Sequence, residues 1–204
     1  MQPVALLKYL WYTEYEFGTF NKSLFISENI LVIHASPRIG GNSDLLCDKL
    51  IEGAREAGHT CEKIALHGKQ IGYCIACDAC RKNGGICAIR DDMEPIYEKM
   101  LWADIIVLST PVYFFSMSAQ LKTMIDRLRP IYRKMTGKAF CLIATVSVDE
   151  PEKLDSTFDA MRGLLRCVPE ARELGAIYGN SAWLPGDIRN TQAINEAYQL
   201  GLRL

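Results

Sequence analysis

The stretch ILVIHASPRIGGNS, residues 30–43, decides the fold because it joins an apolar run to a helix through a loop of small residues. The apolar run at residues 30–35 predicts a buried strand, and Ser43 opens a predicted helix. In α/β proteins, a small-residue loop between a strand and a helix start is the element that holds a phosphate group. The stretch therefore predicts an α/β domain with an anion site after its first strand.

Strand and helix signals alternate through the rest of the chain. Strands are predicted at residues 30–35, 61–66, 104–108, 139–145 and 173–177, and helices at residues 43–57, 92–102, 118–128, 151–167 and 191–202. Five strands with intervening helices predict a flavodoxin-like doubly wound parallel sheet with helices on both faces. Such a sheet binds its ligand beyond the carboxyl ends of the strands, which here are followed by loops at residues 36–43, 67–90, 109–117 and 146–151.

The composition predicts one globular domain. The chain has 204 residues, of which 49% are hydrophobic and 23% charged, and we assign the domain to residues 30–204 after an extension, residues 1–29, of unknown role. A net charge of -1 without a basic stripe argues against a nucleic-acid partner. No apolar stretch reaches the roughly 18 residues of a membrane span, and the clustering of the eight cysteines favours the reducing cytoplasm over secreted disulfides.

The first loop is suited to phosphate binding. Its glycines remove side chains where a phosphate must approach backbone N–H groups, and its polar side chains can donate hydrogen bonds. The residues concerned are Ser36, Arg38, Gly40, Gly41, Asn42 and Ser43. The alternative is a turn capped by Asn42 or Ser43 without any ligand. Because the loop follows the first strand of an alternating chain, we favour the phosphate site.

The third loop carries a run of aromatic residues, TPVYFFSMS at residues 110–118. Tyr113, Phe114 and Phe115 can flank a flat ring such as an isoalloxazine, while neighbouring backbone groups bond the polar edge of that ring. The alternative is that these aromatics belong to the core, which is the commoner fate of such runs. Because the loop lies beside the point where the strand order reverses, we favour a flavin.

The second loop, YCIACDACRKNGGICAIRDD at residues 73–92, holds half of the cysteines. Cys74, Cys77, Cys80 and Cys87 are spaced as C-x2-C-x2-C-x6-C, a density that suits an iron-sulfur cluster. Free or reversibly oxidised thiols are an alternative, and zinc is another, although zinc sites more often show two separated C-x2-C pairs.

The remaining reactive residues are interpreted as structural. Cys47, Cys61, Cys141 and Cys167 fall in predicted helices or strands and are expected to be small buried residues. The three histidines, His34, His59 and His67, are interpreted as structural residues and not as bases. Asp91 and Asp92 are interpreted as acids at a helix start. The sequence presents no serine, histidine and acid set for hydrolysis.

Three motifs in this order, SPRIGGNS, TPVYFFSMSAQLKTMIDR and CIACDAC followed by GGICAIRDDM, resemble the NADPH-dependent FMN reductase superfamily and, within it, the iron-sulfur flavoproteins. The resemblance runs from Ile30 to the end of the chain and includes GDIRNTQAINEAYQLG at residues 186–201. It implies an FMN whose phosphate lies on Ser36, Arg38, Asn42 and Ser43, and whose ring lies against Pro111, Val112, Tyr113, Phe114 and Ser116. A third flavin loop would lie at residues 145–149, including Thr145 and Ser147.

The resemblance also bears on the cysteines and on assembly. Their spacing is similar to the compact motif that holds a [4Fe-4S] cluster in iron-sulfur flavoproteins, whereas it differs from the bacterial ferredoxin run because Ala88, not proline, follows Cys87. Relatives with similar cysteines but no evident cluster exist, so the alternatives stay open. The resemblance implies a homodimer or a homotetramer, with the flavin close to a subunit interface.

These observations predict an FMN-dependent redox protein that passes electrons between a reduced donor and an acceptor. The flavin carries the chemistry, so no side chain need act as acid or base. With a cluster, the expected donor is a ferredoxin, whereas without one it is NAD(P)H acting through hydride transfer to the flavin. Two further hypotheses are a redox sensor without turnover and a zinc-stapled structural protein.

Overall fold

Strands and helices alternate along residues 27–204, the part of the chain that the computed structural model describes. The strands are β1 (Asn29–His34), β2 (Thr60–Ala65), β3 (Ile105–Tyr113), β4 (Ser116–Met117), β5 (Ala139–Thr145) and β6 (Arg172–Gly179). The helices are α1 (Asn42–Glu56), α2 (Ala79–Lys82), α3 (Met93–Trp102), α4 (Ala119–Asp126), α5 (Asp155–Leu165) and α6 (Ala193–Leu202). No helix in residues 27–204 combines the length and the apolar character that crossing a membrane requires.

The main sheet is parallel, with strand order β2-β1-β3-β5-β6, which confirms the predicted doubly wound fold. The order reverses at β1, whose two neighbours are β2 on one side and β3 on the other. The short β4 pairs antiparallel with the end of β3 and turns the chain back into α4. The carboxyl ends of β1, β3, β5 and β6 therefore meet at one edge of the sheet.

Alternate residues of the central strands pack on opposite faces of the sheet. Ile30 and Val32 of β1 pack with apolar residues of α1 and α6, whereas Leu31 and Ile33 pack with those of α3, α4 and α5. All four of these side chains are fully buried. A parallel sheet that is covered on both faces explains why the strands read as continuous apolar runs.

The helices α1 and α6 cross at very short range. A Cβ on Gly53 would lie 2.2 Å from the Tyr198 carbonyl oxygen, and one on Gly201 would lie 2.1 Å from the Leu50 carbonyl oxygen. Real Cβ atoms do not approach so closely, so only glycine allows this crossing. The crossing braces α1, whose first two residues, Asn42 and Ser43, are the last two of the predicted phosphate loop.

Two predicted elements differ from the structure by more than two residues at an end. The third strand does not end at residue 108 but continues to Tyr113, since the buried Ser109 and Thr110 still pair with β5. The helix predicted at residues 151–167 is a 3₁₀ turn, Pro151–Leu154, followed by α5, which ends at Leu165. Cys167 therefore lies beyond α5 and is exposed, so its predicted burial is wrong. Cys61 is only partly buried, whereas Cys47 and Cys141 are buried as predicted.

The predicted extension, residues 1–29, falls outside the described residues except for its last three. Those three belong to the domain: Ser27 Oγ donates to the Gly58 carbonyl oxygen, and the Glu28 N–H donates to His59 Nδ1. Asn29 is the first residue of β1.

Candidate functional site

A cavity of about 580 Å³ opens at the carboxyl edge of the sheet. It is lined by Ser36, Arg38, Gly41, Asn42, Ser43, Pro111, Val112, Tyr113, Thr145, Val146, Ser147, Ala182, Trp183, Leu184 and Pro185. We call it the flavin cavity after the predicted ligand. Its lining includes all of the residues predicted for the flavin site except Gly40, Phe114, Phe115 and Ser116. Its walls come from the loops after β1, β5 and β6 and from the last residues of β3.

The start of α1 presents uncapped N–H groups to the flavin cavity. Gly41 is the N-cap residue and has no side chain, and no side chain of the described residues caps the helix. Two hydrogen bonds stabilise the preceding turn, residues 36–41. The Gly40 N–H donates to Asp44 Oδ2 at 2.8 Å, and the Arg38 N–H donates to Ser36 Oγ at 3.0 Å. An uncapped helix start beside the exposed Arg38 suits a phosphate.

The side chain of Asn42 is occupied by the loop after β6. Its Nδ2 donates to the carbonyl oxygens of Ala182 at 3.0 Å and Leu184 at 2.9 Å, and its Oδ1 accepts from the Gly186 N–H at 2.8 Å. The expectation that this amide donates to a phosphate is therefore replaced by a different role. Asn42 ties the start of α1 to the loop after β6, and both of its amide hydrogens are used in these bonds.

Buried polar residues pack beneath the predicted phosphate loop, on its core side. His34 is 1% exposed, with Nε2 at 3.5 Å from Ser43 Oγ and Nδ1 at 3.7 Å from Asp44 Oδ1. Burial lowers the pKa of His34, although the nearby Asp44 acts in the opposite direction. Burial would raise the pKa of Asp44, but hydrogen bonds from Lys63 and the Gly40 N–H outweigh it and lower that pKa.

The fold thus brings His34, at the end of β1, next to Ser43 and Asp44, which adjoin each other in the first turn of α1. Ser43 is 2% exposed, and 3.5 Å is at the outer limit for a hydrogen bond. The set therefore supports the loop that carries Ser43 and is not arranged as a nucleophile and its base. The structural role predicted for His34 agrees with this arrangement.

The aromatic run after β3 is not part of the core. Tyr113 is 45% exposed, Phe115 is 60% exposed, and Phe114 is fully exposed, so the core alternative is wrong. Phe114 and Phe115 have φ values of +50° and +59°, which form the tight turn from β3 to β4. This turn places Phe114 and Ser116 outside the flavin cavity and leaves Tyr113 in its wall.

The loop after β6 was missed as a site element. The Ser181 and Ala182 N–H groups donate to the carbonyl oxygens of Val148 and Val146, which joins this loop to the one after β5. Trp183, in the cavity wall, is 70% exposed. The sequence signal was present, because Trp183, Leu184 and Pro185 follow the fifth predicted strand, and the loops after such strands lie at the ligand-binding edge.

A second cavity, of about 270 Å³, lies in the loop after β2 and is lined by Cys74, Cys77, Cys80 and Cys87. We call it the thiol cavity. Within residues 27–204, no three His, Cys, Asp or Glu side chains are arranged to hold a metal ion, so the thiols share a cavity without forming a ligand shell. Four thiols around one small space are the donor set of an iron-sulfur or zinc centre.

The turn between Cys80 and Cys87 depends on glycine. Gly85 has a φ of +95°, and its N–H donates to the Cys80 carbonyl oxygen at 2.9 Å. A Cβ at this position would lie 3.1 Å from Lys134 Nζ and 3.2 Å from the Pro130 carbonyl oxygen. Glycine at position 85 therefore allows the turn that returns Cys87 to the cavity shared with the other three thiols.

Arg127 closes the cysteine loop, although sequence reasoning assigned it no role. Its Nη1 donates to the Gly72 carbonyl oxygen at 2.7 Å and to Asp91 Oδ2 at 2.6 Å. Its Nη2 donates to the Ile89 carbonyl oxygen at 3.2 Å and to Asp91 Oδ1 at 3.1 Å. Since Gly72 precedes Cys74 and Ile89 follows Cys87, one guanidinium joins both ends of the loop.

The Arg127 and Asp91 pair is buried, with side chains 1% and 11% exposed. Burial would raise the pKa of Asp91, but hydrogen bonds from Arg127 and from the Gly72 and Met93 N–H groups outweigh it and lower that pKa. Asp91 is therefore more than the helix-start acid that the sequence indicated. No local signal reveals this, because an arginine in a helical run is ordinarily a surface residue.

The sequence model of a family described as NADPH-dependent FMN reductase matches residues 29–169. An iron-sulfur flavoprotein of Methanocaldococcus jannaschii is 42% identical over 102 residues, which are 50% of this chain and 52% of that protein. The chain thus spans about half the length of this curated relative. YwqN of Bacillus subtilis (strain 168), whose name assigns it provisionally to NAD(P)H-dependent FMN-containing oxidoreductases, is 33% identical over 184 residues, 84% of this chain and 95% of that protein.

The solved structure of the Trp repressor binding protein from Bacillus subtilis is 26% identical to this chain. The superposition covers 84% of this chain and 96% of that chain, with a TM-score of 0.63. The fold, the matching sequence model and these relatives agree. The chain therefore belongs to the NADPH-dependent FMN reductase family, a family of flavin-dependent oxidoreductases.

Proposed function

We propose that this protein binds FMN in the flavin cavity and passes electrons between a reduced donor and an acceptor, with a [4Fe-4S] cluster held by Cys74, Cys77, Cys80 and Cys87. The observation that carries the proposal is that all four cysteines line one small cavity in the loop after β2. The similarity to an iron-sulfur flavoprotein supports the same reading.

The flavin cavity has the groups that FMN needs. The uncapped start of α1 and the Arg38 guanidinium would hold the phosphate, because both are positive and face the same space. Tyr113 and Trp183 would flank the ring, and backbone groups near Pro111 and Thr145, which pair across β3 and β5, would meet its polar edge. When bound, FMN supplies one- and two-electron chemistry.

The cysteine loop has the donor set that a cluster needs, and the thiolates would bind it collectively. Arg127 keeps the two ends of the loop together independently of any metal. The donor that we propose is a ferredoxin for the cluster-containing protein. We place the protein in the cytoplasm, where reduced thiols persist.

We also propose that the protein assembles as a homodimer or a homotetramer. Large apolar side chains are exposed around the flavin cavity, namely Ile39, Tyr113, Phe114, Phe115, Trp183 and Leu184. Several large apolar side chains left exposed at one edge of a domain are typical of an interaction surface. A second copy that covered it would also exclude water from the flavin.

The test is the spectrum and the composition of protein purified without oxygen. We expect one FMN per chain and about four iron and four sulfide per chain. Substituting any one of the four cysteines with Ser should remove most of the iron and the broad cluster absorbance, while FMN remains. Cys47→Ser and Cys167→Ser are matched controls that should change neither.

A reductase without a cluster is the second candidate, and the likeness to YwqN over 95% of that protein favours it. In this case FMN would take a hydride from NAD(P)H and pass electrons to a small acceptor. Protein replete with FMN but lacking iron and sulfide after anaerobic reconstitution, and reduced rapidly by NADPH, would establish this candidate. Bound zinc would indicate a structural centre, and slow reduction by every donor would indicate a sensor.

A further inference from the structure

A basic groove lies beside the thiol cavity. It has a volume of about 510 Å³, and its lining includes Arg81, Arg129, Arg133 and Lys134 together with Cys80 and Gly85. The four cationic side chains are exposed, and no acidic side chain of the described residues lines the groove. Since the whole chain has a net charge of -1, this positive charge is a local feature of one face.

The positive charge of the groove is only partly neutralised. Asp78 pairs with both Arg81, at 3.6 Å, and Arg129, at 3.5 Å. Among residues 27–204, no carboxylate pairs with Arg133 or Lys134. The groove therefore retains an excess of positive charge that would attract an anionic partner from solution.

The groove and the thiol cavity share residues. Cys80, Arg129 and Pro130 line both of them. A molecule seated in the groove would therefore contact a residue that also faces the proposed metal centre.

Exposed apolar side chains on the same loop indicate that the partner is a protein. Tyr73 is 75% exposed, Ile75 is 59% exposed and Ile86 is 51% exposed. A small anion gains nothing from such side chains, whereas a protein interface combines an apolar centre with a charged rim. Electrostatic complementarity at the rim raises the association rate more than the affinity.

We propose that the basic groove, with Tyr73, Ile75 and Ile86, is the docking surface for an acidic redox protein that exchanges electrons with the centre held by the four cysteines. This inference rests on the proposed function, since it needs a redox-active centre in the thiol cavity. Each encounter would oxidise the partner by one electron and reduce the centre by one electron. No bond forms or breaks, and no proton needs to move.

The test compares two double variants with the same change in net charge. Arg133→Glu/Lys134→Glu reverses charge in the groove, whereas Arg166→Glu/Arg203→Glu reverses two exposed cations elsewhere on the domain. The probe is a reduced bacterial two-[4Fe-4S] ferredoxin with an acidic surface. The readout is the second-order rate constant for reduction of the anaerobically purified protein, measured from low to high salt.

We expect the groove variant to react at least about tenfold more slowly than wild type at low salt, and the control variant within about twofold. High salt should remove the difference, because it screens the exposed charges. Reduction by dithionite should be equal in all three proteins.

Equal slowing in both variants, or in neither, would overturn the proposal. Loss of NADPH-dependent reduction in the groove variant, with ferredoxin rates unchanged, would assign the groove to a nucleotide and would also overturn it. If wild type contains iron and sulfide but is not reduced by the probe, the docking proposal fails and the cluster proposal stands. If iron and sulfide are absent, the cluster proposal fails, and the docking proposal, which rests on it, fails with it.

Discussion

The flavin cavity and the thiol cavity are built in different ways at the same end of the domain. The flavin cavity is made by strand ends and a helix start, so paired strands and the packing of α1 against α6 define its walls. The thiol cavity lies in a loop of which only α2, one turn long, is regular. What joins the ends of this loop is the buried guanidinium of Arg127.

This difference indicates which substitutions should disrupt each cavity. The walls of a cavity formed by a sheet are held by many hydrogen bonds, so the loss of one bond changes them little. A loop whose ends are joined by one buried ion pair depends on that single pair. Substitutions can therefore damage either site alone, and such substitutions test whether the two sites are structurally independent.

The largest effect is expected for Arg127→Met. The variant leaves the buried Asp91 carboxylate without its partner, which should lower the free energy of unfolding by about 3–5 kcal/mol. In folded protein, trypsin should cut faster after the exposed Arg81 and Lys82 of the cysteine loop. Urea denaturation and timed proteolysis measure the two effects.

Arg129→Met is the matched control, because its pair with Asp78 is exposed and should contribute at most about 1 kcal/mol. Equal losses of stability in the two variants would show that the Arg127 pair has no special role. Arg127→Met protein that keeps its FMN affinity would show that the two cavities are independent.

The next effect is expected for Arg38→Ala, which acts on the flavin cavity alone. A charge-assisted hydrogen bond to the phosphate should contribute roughly 1.5–3 kcal/mol, so FMN should bind about tenfold to a hundredfold more weakly. Riboflavin, which lacks the phosphate, should bind equally to both proteins. Calorimetry with FMN and with riboflavin measures these affinities. Arg166→Ala is the control and should bind both flavins as wild type does. Equal wild-type affinity for FMN and riboflavin would refute the phosphate site.

A smaller effect is expected for Asn42→Ala. The variant removes the hydrogen bonds that tie the loop after β6 to α1, so the Gly186 N–H, which donates to Asn42 Oδ1, should exchange with solvent faster. FMN affinity should fall several-fold because the wall that carries Trp183 is released. Asn180→Ala, which removes one exposed bond to Asp149, should change neither quantity, and an unchanged exchange rate in Asn42→Ala would disprove the tie.

The smallest effect is expected from pH. Burial lowers the pKa of His34, so the folded protein keeps this ring neutral, whereas the unfolded chain takes up a proton below a pH of about 6.5. Stability should therefore fall as the pH decreases below about 6.5. His34→Gln should flatten this dependence in urea denaturation series. Identical slopes in wild type and His34→Gln would contradict the assignment.

Both cavities could be foreseen in part. Apolar runs such as residues 30–35 and 139–145 revealed strands because a doubly covered parallel sheet buries consecutive residues. Parallel strands end at one edge, so the loops after them could be assigned to one site. That Phe114 lies outside the cavity lining could not be foreseen, because its backbone adopts a left-handed conformation that residue type does not reveal.

The sequence by itself determined the fold class, the loop of small residues between β1 and α1, and the spacing of the four thiols, because each of these depends on neighbouring residues and on simple periodicity. Only the tertiary structure decided which distant groups complete each site. Arg127 reaches Gly72 and Asp91 across 55 and 36 residues of chain, and Asn42 reaches Leu184 across 142. Such partners meet only when helices and strands pack, and no local pattern records a contact that packing creates.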